Sequence, residues 1–157
     1  MKHPNKEIMQ ELINYTKKFT KYGDAVGALL VKRNKIVAKA AATVEKDQDP
    51  TSHAELKVIS KMCRKNKNYH LKGYYLYSTL EPCPMCASGI VWARIKGVVY
   101  GLEGHDIWGR LNIPARKIFK TSPERIEVYP KFMEKECLEL SRESKDKEMG
   151  EFFKSNK

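Results

Sequence analysis

Two short motifs constrain this chain more than any bulk property. His53-Ala54-Glu55 and Pro82-Cys83-Pro84-Met85-Cys86 each stand at an expected helix start. Cys83 and Cys86 are three apart, so a helical first turn puts both thiols on one face. Pro84 suits the first helical position, where its missing N–H would have no partner anyway. The positive end of a helix dipole lowers a thiol's pKa, and zinc binds the thiolate. Two thiolates and the His53 imidazole make a three-ligand zinc site with an open fourth position, the pattern of a catalytic rather than a structural metal. The fold must therefore bring two helix starts together.

Glu55 sharpens this reading. Two positions after His53, it would face away from it on an ideal helix. Both reach one centre only if His53 sits at the very first turn. A carboxylate beside a metal-bound water, but not bound to the metal, carries protons. Two other readings remain. A structural zinc held by four cysteines would recruit Cys63 and Cys137, and a redox Cys-x-x-Cys needs no histidine. On a continuous helix, however, Cys63 lies about 15 Å from His53, too far to share one ion.

The 157 residues, 41% hydrophobic with 10% aromatic, suit one domain with its own core. No apolar run approaches the roughly 20 residues of a membrane helix. The N-terminus lacks the apolar stretch of a signal peptide, so a cytoplasmic protein is expected. The net charge of +11 makes an anionic partner plausible, nucleic acid first, beside plain solubility. Apolar spacing predicts a helix over 5–21 and strands over 25–31 and 36–43. Asp49-Pro50-Thr51 is expected to start a helix running to about 66. Strands follow over 74–80, 97–101 and 126–129, with helices over 82–94 and 131–140. Residues 102–115 read as loop, and the tail beyond about 141 as a charged extension. This order predicts a three-layer α/β domain over 1–157.

The paired motifs resemble those of the cytidine deaminase superfamily, within it the branch of tRNA adenosine deaminases and bacterial-type guanine deaminases. The resemblance is carried by Asp49-Pro50-Thr51-Ser52-His53-Ala54-Glu55, Thr79-Leu80-Glu81-Pro82-Cys83-Pro84-Met85-Cys86, Ala93-Arg94-Ile95 and Val98-Val99-Tyr100-Gly101. It implies a three-layer α/β/α cytidine deaminase-like fold, a mixed sheet of about five strands, and a homodimer. It further implies one zinc per chain on His53, Cys83 and Cys86. Glu55 would shuttle protons as water attacks the ring carbon bearing an exocyclic amine, and the Ala54 N–H would help hold the substrate.

Departures from the family bear on the substrate. Related purine enzymes usually carry Asn where Ala42 and Thr43 stand. Val91-Trp92-Ala93-Arg94 resembles guanine deaminases, in which this Trp packs on the base; a core-filling role is the alternative for Trp92. Thr79-Leu80-Glu81 and Arg125–Leu138 lean toward the tRNA enzymes. The favoured substrate is a purine-like free base or nucleoside, with the wobble adenosine of tRNA and then cytosine or cytidine as alternatives. His105, Asp106 and Trp108 fall in a loop, where binding residues concentrate, so His105 is a candidate substrate contact. His3 and His70 are expected in solvent, and Cys63 and Cys137 in the core. Lys61, Arg64, Lys65 and Lys67 form a solvated face or an RNA contact. Phe152 and Phe153 end the chain as a frayed tail or a docking element.

Overall fold

The computed structural model describes residues 2–23, 25–104 and 111–145. A five-stranded sheet organises them, with β1 (Gly27–Lys32), β2 (Lys35–Ala41), β3 (Tyr75–Leu80), β4 (Gly97–Leu102) and β5 (Glu127–Tyr129). The spatial order is β2-β1-β3-β4-β5. β1 runs antiparallel to both β2 and β3, whereas β3–β4 and β4–β5 are parallel. Four strands therefore point one way and β1 alone is reversed. The C-terminal ends of β2, β3 and β4 consequently share one edge of the sheet, and the segments that follow them leave from that edge.

Helices cover both faces. α1 (Lys6–Lys17) opens on Asn5, whose side chain accepts the Ile8 N–H, and buries Ile8, Met9, Leu12 and Ile13. It shares its face of the sheet with α6 (Glu134–Arg142), which packs on β4. The opposite face carries α3 (Ala54–Asn66) and α4 (Pro84–Trp92), with the short α5 (Ala115–Phe119) beside α4. The expected layered α/β architecture with about five strands is the one observed. Among the described residues no helix is long and apolar enough to cross a membrane.

Several local expectations need correction. The first helix does not run to residue 21: it ends at Lys17, and a 3-10 turn over Thr20–Tyr22 leads to Gly23 at φ 118. Asp49-Pro50-Thr51 does not cap the zinc helix. Asp49 instead closes a side-chain turn on the Thr51 N–H at 2.8 Å, after a short helix α2 (Val44–Asp47) that periodicity could not reveal. α5 starts at the last residue of the stretch read as loop and continues to Phe119, where no element was expected; it is too short for an apolar repeat. His3 is not in solvent: its ring stacks on Tyr75 at 3.7 Å and its Nδ1 lies 2.7 Å from Tyr77 Oη. Burial holds its pKa below the usual histidine value. Cys137 is fully buried and Cys63 partly so, and burial raises both thiols. The 102–115 loop residues His105, Asp106 and Trp108, and the tail pair Phe152 and Phe153, lie outside the described residues.

Two glycines set the spacing of the helix layer over the sheet. A Cβ on Gly27 would overlap Thr16 Oγ1, and one on Gly101 would meet Cys137 Cβ at 2.6 Å and the Thr79 carbonyl at 2.8 Å. Backbone cannot yield as a side-chain tip can. Gly101→Ala should therefore lower stability by about 1–3 kcal/mol, measured by urea denaturation, while Gly73→Ala, whose added Cβ meets the flexible end of Lys32, serves as a control for backbone strain alone.

Candidate active site

The metal-type residues come from two helix starts on the shared sheet edge. His53 is the N-cap of α3, at φ -75 and ψ 146, and Cys83 is the N-cap of α4, at φ -63 and ψ 167. Neither side chain caps its own helix; both turn toward the cleft between the helices. Cys86 follows in the first turn of α4, after Pro84 at the first helical position. The extended backbone at His53 resolves the problem of Glu55: lying outside the helical turn, His53 need not face away from it.

His53 Nδ1 lies 3.5 Å from both Cys83 Sγ and Cys86 Sγ. One ligand atom from each of the three residues falls within 4.8 Å of the others, and they are the one such group among the described residues. Cys63 and Cys137 take no part. The hydrogen bond from Cys86 draws the Cys83 thiol down to about 4. The same bond, with burial, holds Cys86 far above an ordinary thiol. One imidazole nitrogen and two sulfurs, one of them an easily formed thiolate at the positive end of a helix, match the donor set of zinc. Three protein ligands leave a fourth position for water or substrate.

Glu55 is 2% exposed. Its Oε2 lies 3.6 Å from Cys86 Sγ and its Oε1 accepts the Ser78 hydroxyl at 3.3 Å. Burial pushes its carboxyl up to about 7, so it can both take and give a proton near neutrality. Ser78 had drawn no attention in the sequence. The period of two along β3 nevertheless puts it between Leu76 and Leu80 on the α3 side, where a hydroxyl needs a polar partner. Ala54 opens α3, fully buried, and its N–H is among the four that any helix start leaves without an intrahelical acceptor.

The remaining positions divide. Trp92 is 81% exposed at the end of α4, so it is not core filler. Ala42 and Thr43 are buried beside the site, and the Thr43 hydroxyl is committed to Asp47 while accepting Lys57 Nζ at 2.6 Å. Neither carries a side-chain amide. Lys61, Arg64, Lys65 and Lys67 are exposed, and Lys61 and Arg64 line a groove of about 820 Å³ with Tyr15, Phe19, Lys39 and Lys57. His105 lies outside the described residues.

Residues 2–102 match the model of the cytidine and deoxycytidylate deaminase zinc-binding region. The chain belongs to this deaminase family. The tRNA-specific adenosine deaminase of Bacillus subtilis (strain 168) is 35% identical to it over 133 residues, covering 82% of this chain and 81% of that protein. The guanine deaminase of the same organism is 43% identical over 84 residues, 54% of each chain. A solved structure from studies of A-to-I editing by tRNA:A34 deaminases at the wobble position of transfer RNA superposes with a TM-score of 0.76 at 28% identity, covering 87% of this chain and 99% of that one. This deaminase is accordingly a zinc-dependent enzyme that hydrolyses a C–N bond, and His53, Cys83 and Cys86 are positioned as a possible zinc site.

Purified without added zinc, the protein should carry close to one zinc per chain. Cys83→Ala or Cys86→Ala should lower that content sharply. Glu55→Gln should keep it while turnover falls by about 10²-fold or more, because a general acid–base group acts in the transition state rather than in metal binding. Metal analysis beside ammonia-release assays separates the two effects.

Proposed function

We propose that this deaminase removes the exocyclic amine of a purine, as free base or small nucleoside, with water as second substrate and ammonia as product. The carrying observation is the buried Glu55 carboxyl, one oxygen toward Cys86 and the other held by Ser78. The purine class is supported by relatives named for adenosine in tRNA and for guanine. Zinc on His53, Cys83 and Cys86 supplies Lewis acidity that makes water nucleophilic near neutral pH. Glu55 takes a proton from the attacking water and passes it to a ring nitrogen. It then takes the second proton from the added hydroxyl and delivers it to the amine as the C–N bond breaks, leaving a carbonyl and ammonia. Ser78 fixes which way Glu55 points. The Ala54 N–H donates to the substrate, and Trp92 contributes to its pocket.

The preference for a small substrate rests on the Trp92 context and on the missing amide at Ala42 and Thr43. A second reading, the wobble adenosine of tRNA, is favoured by the basic groove, since Thr51 and Ser52, the two residues before His53, line it together with Lys57, Lys61 and Arg64. Ammonia release from guanine, adenine, cytosine, their nucleosides and an anticodon stem-loop decides between them. We expect a purine or its nucleoside to be fastest. A stem-loop that outpaces every small molecule and is suppressed by moderate salt would reverse the preference.

We further infer a homodimer working in the cytoplasm, in purine metabolism, where its cysteines stay reduced. Two large apolar side chains of α4 stand in solvent, Met85 at 37% and Trp92 at 81%, as expected of a surface that a second copy covers. Sedimentation at micromolar concentration should return a dimer, and Trp92→Glu should shift it toward monomer.

A further inference from the structure

Glu81 is a carboxylate buried to 2% exposure directly ahead of the Pro82-Cys83 turn. Its Oε2 accepts the Gly104 N–H at 2.9 Å and its Oε1 accepts the Ala115 N–H at 2.8 Å. Its own N–H donates to the Leu102 carbonyl at 2.7 Å. Burying a carboxylate is costly unless it is hydrogen-bonded, and bonds to an ionised acceptor are about twice as strong as neutral ones. Both of these bonds come from main-chain N–H groups, those of Gly104 and Ala115. Gly104 stands just past β4, and Ala115 is the first residue of α5 beside α4.

The position of these contacts carries the functional argument. In open α/β sheets, ligands bind outside the carboxyl ends of the strands. Here that edge holds the His53, Cys83 and Cys86 triangle, and the chain beyond β4 leaves from it. A single side chain, one residue from the Pro82-Cys83 turn, ties Gly104 and Ala115 to the same main chain that presents the ligands.

We propose that Glu81 is a positioning residue for substrate binding: it fixes Gly104 and Ala115 against the Pro82-Cys83 turn and so sets affinity for the base, leaving the chemical step to other groups. The proposal rests on the deaminase reading above. A merely structural Glu81 would alter stability and leave KM alone, so kinetics separate the roles.

The holoenzyme, Glu81→Gln and Glu81→Asp are compared for zinc per chain, amide exchange at Gly104 and Ala115, and kinetics on the best substrate of the panel. Gln keeps the length but turns an NH2 toward one of the two N–H groups; Asp keeps the charge but falls a methylene short. The expected result is unchanged zinc, exchange at both amides faster by about tenfold or more, KM raised about tenfold and kcat within about threefold. Unchanged KM with faster exchange makes Glu81 structural and overturns the proposal. So does loss of zinc, a fall confined to kcat, or failure of Glu81→Gln to fold, since the carboxylate would then serve the ligand turn itself. If the parent deaminates nothing in the panel, the substrate reading fails separately, and unchanged exchange at the two amides would still refute the clamp.

Discussion

Everything at this site depends on two helix N-termini meeting at one sheet edge. The meeting follows from strand direction. Because β1 alone is reversed, β2, β3 and β4 all end on the same side, and α3 and α4 both begin there. Each helix start brings partial positive charge and N–H groups without intrahelical acceptors. Carboxylates, thiolates and an electron-rich ring are therefore favoured in the cleft before any metal is considered. Standing at N-cap positions also frees the His53 and Cys83 side chains from helical geometry, which lets residues two apart, His53 and Glu55, face the same point.

Burial then divides the labour among chemically similar groups. Four cysteines are present, but Cys63 and Cys137 sit among apolar neighbours that hold their protons, while Cys83 lies where a thiolate is favoured. The carboxylates separate in the same way. Glu55, between the Ser78 hydroxyl and Cys86 Sγ, is pushed toward neutrality by burial, and Glu81 accepts the main-chain N–H groups of Gly104 and Ala115. Neighbouring side chains, not residue type, assign the roles.

Much of this was legible in the sequence because the chemistry is local. The spacing of Cys83 and Cys86, and Pro84 between them, specify a helix start by themselves. The strands announced themselves as apolar runs of the right length. What escaped had a non-local cause. Asp49-Pro50-Thr51 carries the residues of a helix cap, yet its side chain closes a turn ahead of the helix. Trp92, for which core filling was the alternative to packing on a base, lies at a helix end and is largely exposed. His3 found its partners on β3, far along the chain. Ser78 and Glu81 owe their meaning to groups that only the folded sheet brings near.

The two outer strands limit how copies of this molecule can associate. An exposed strand edge is a template for another chain's backbone, and short length or lysines blunt it. β5 has three residues, too few for a stable added ladder, and its Glu127 is occupied by the hydroxyls of Tyr75 and Tyr129. β2 is longer but sets Lys35 and Lys39 along its length, with Lys39 held by Glu11 from the middle of α1. Continuous sheet across two molecules is thus disfavoured at both margins. Recognition between copies falls to side chains on the helical layer, where packing can be selective, rather than to main-chain pairing, which any extended peptide could satisfy.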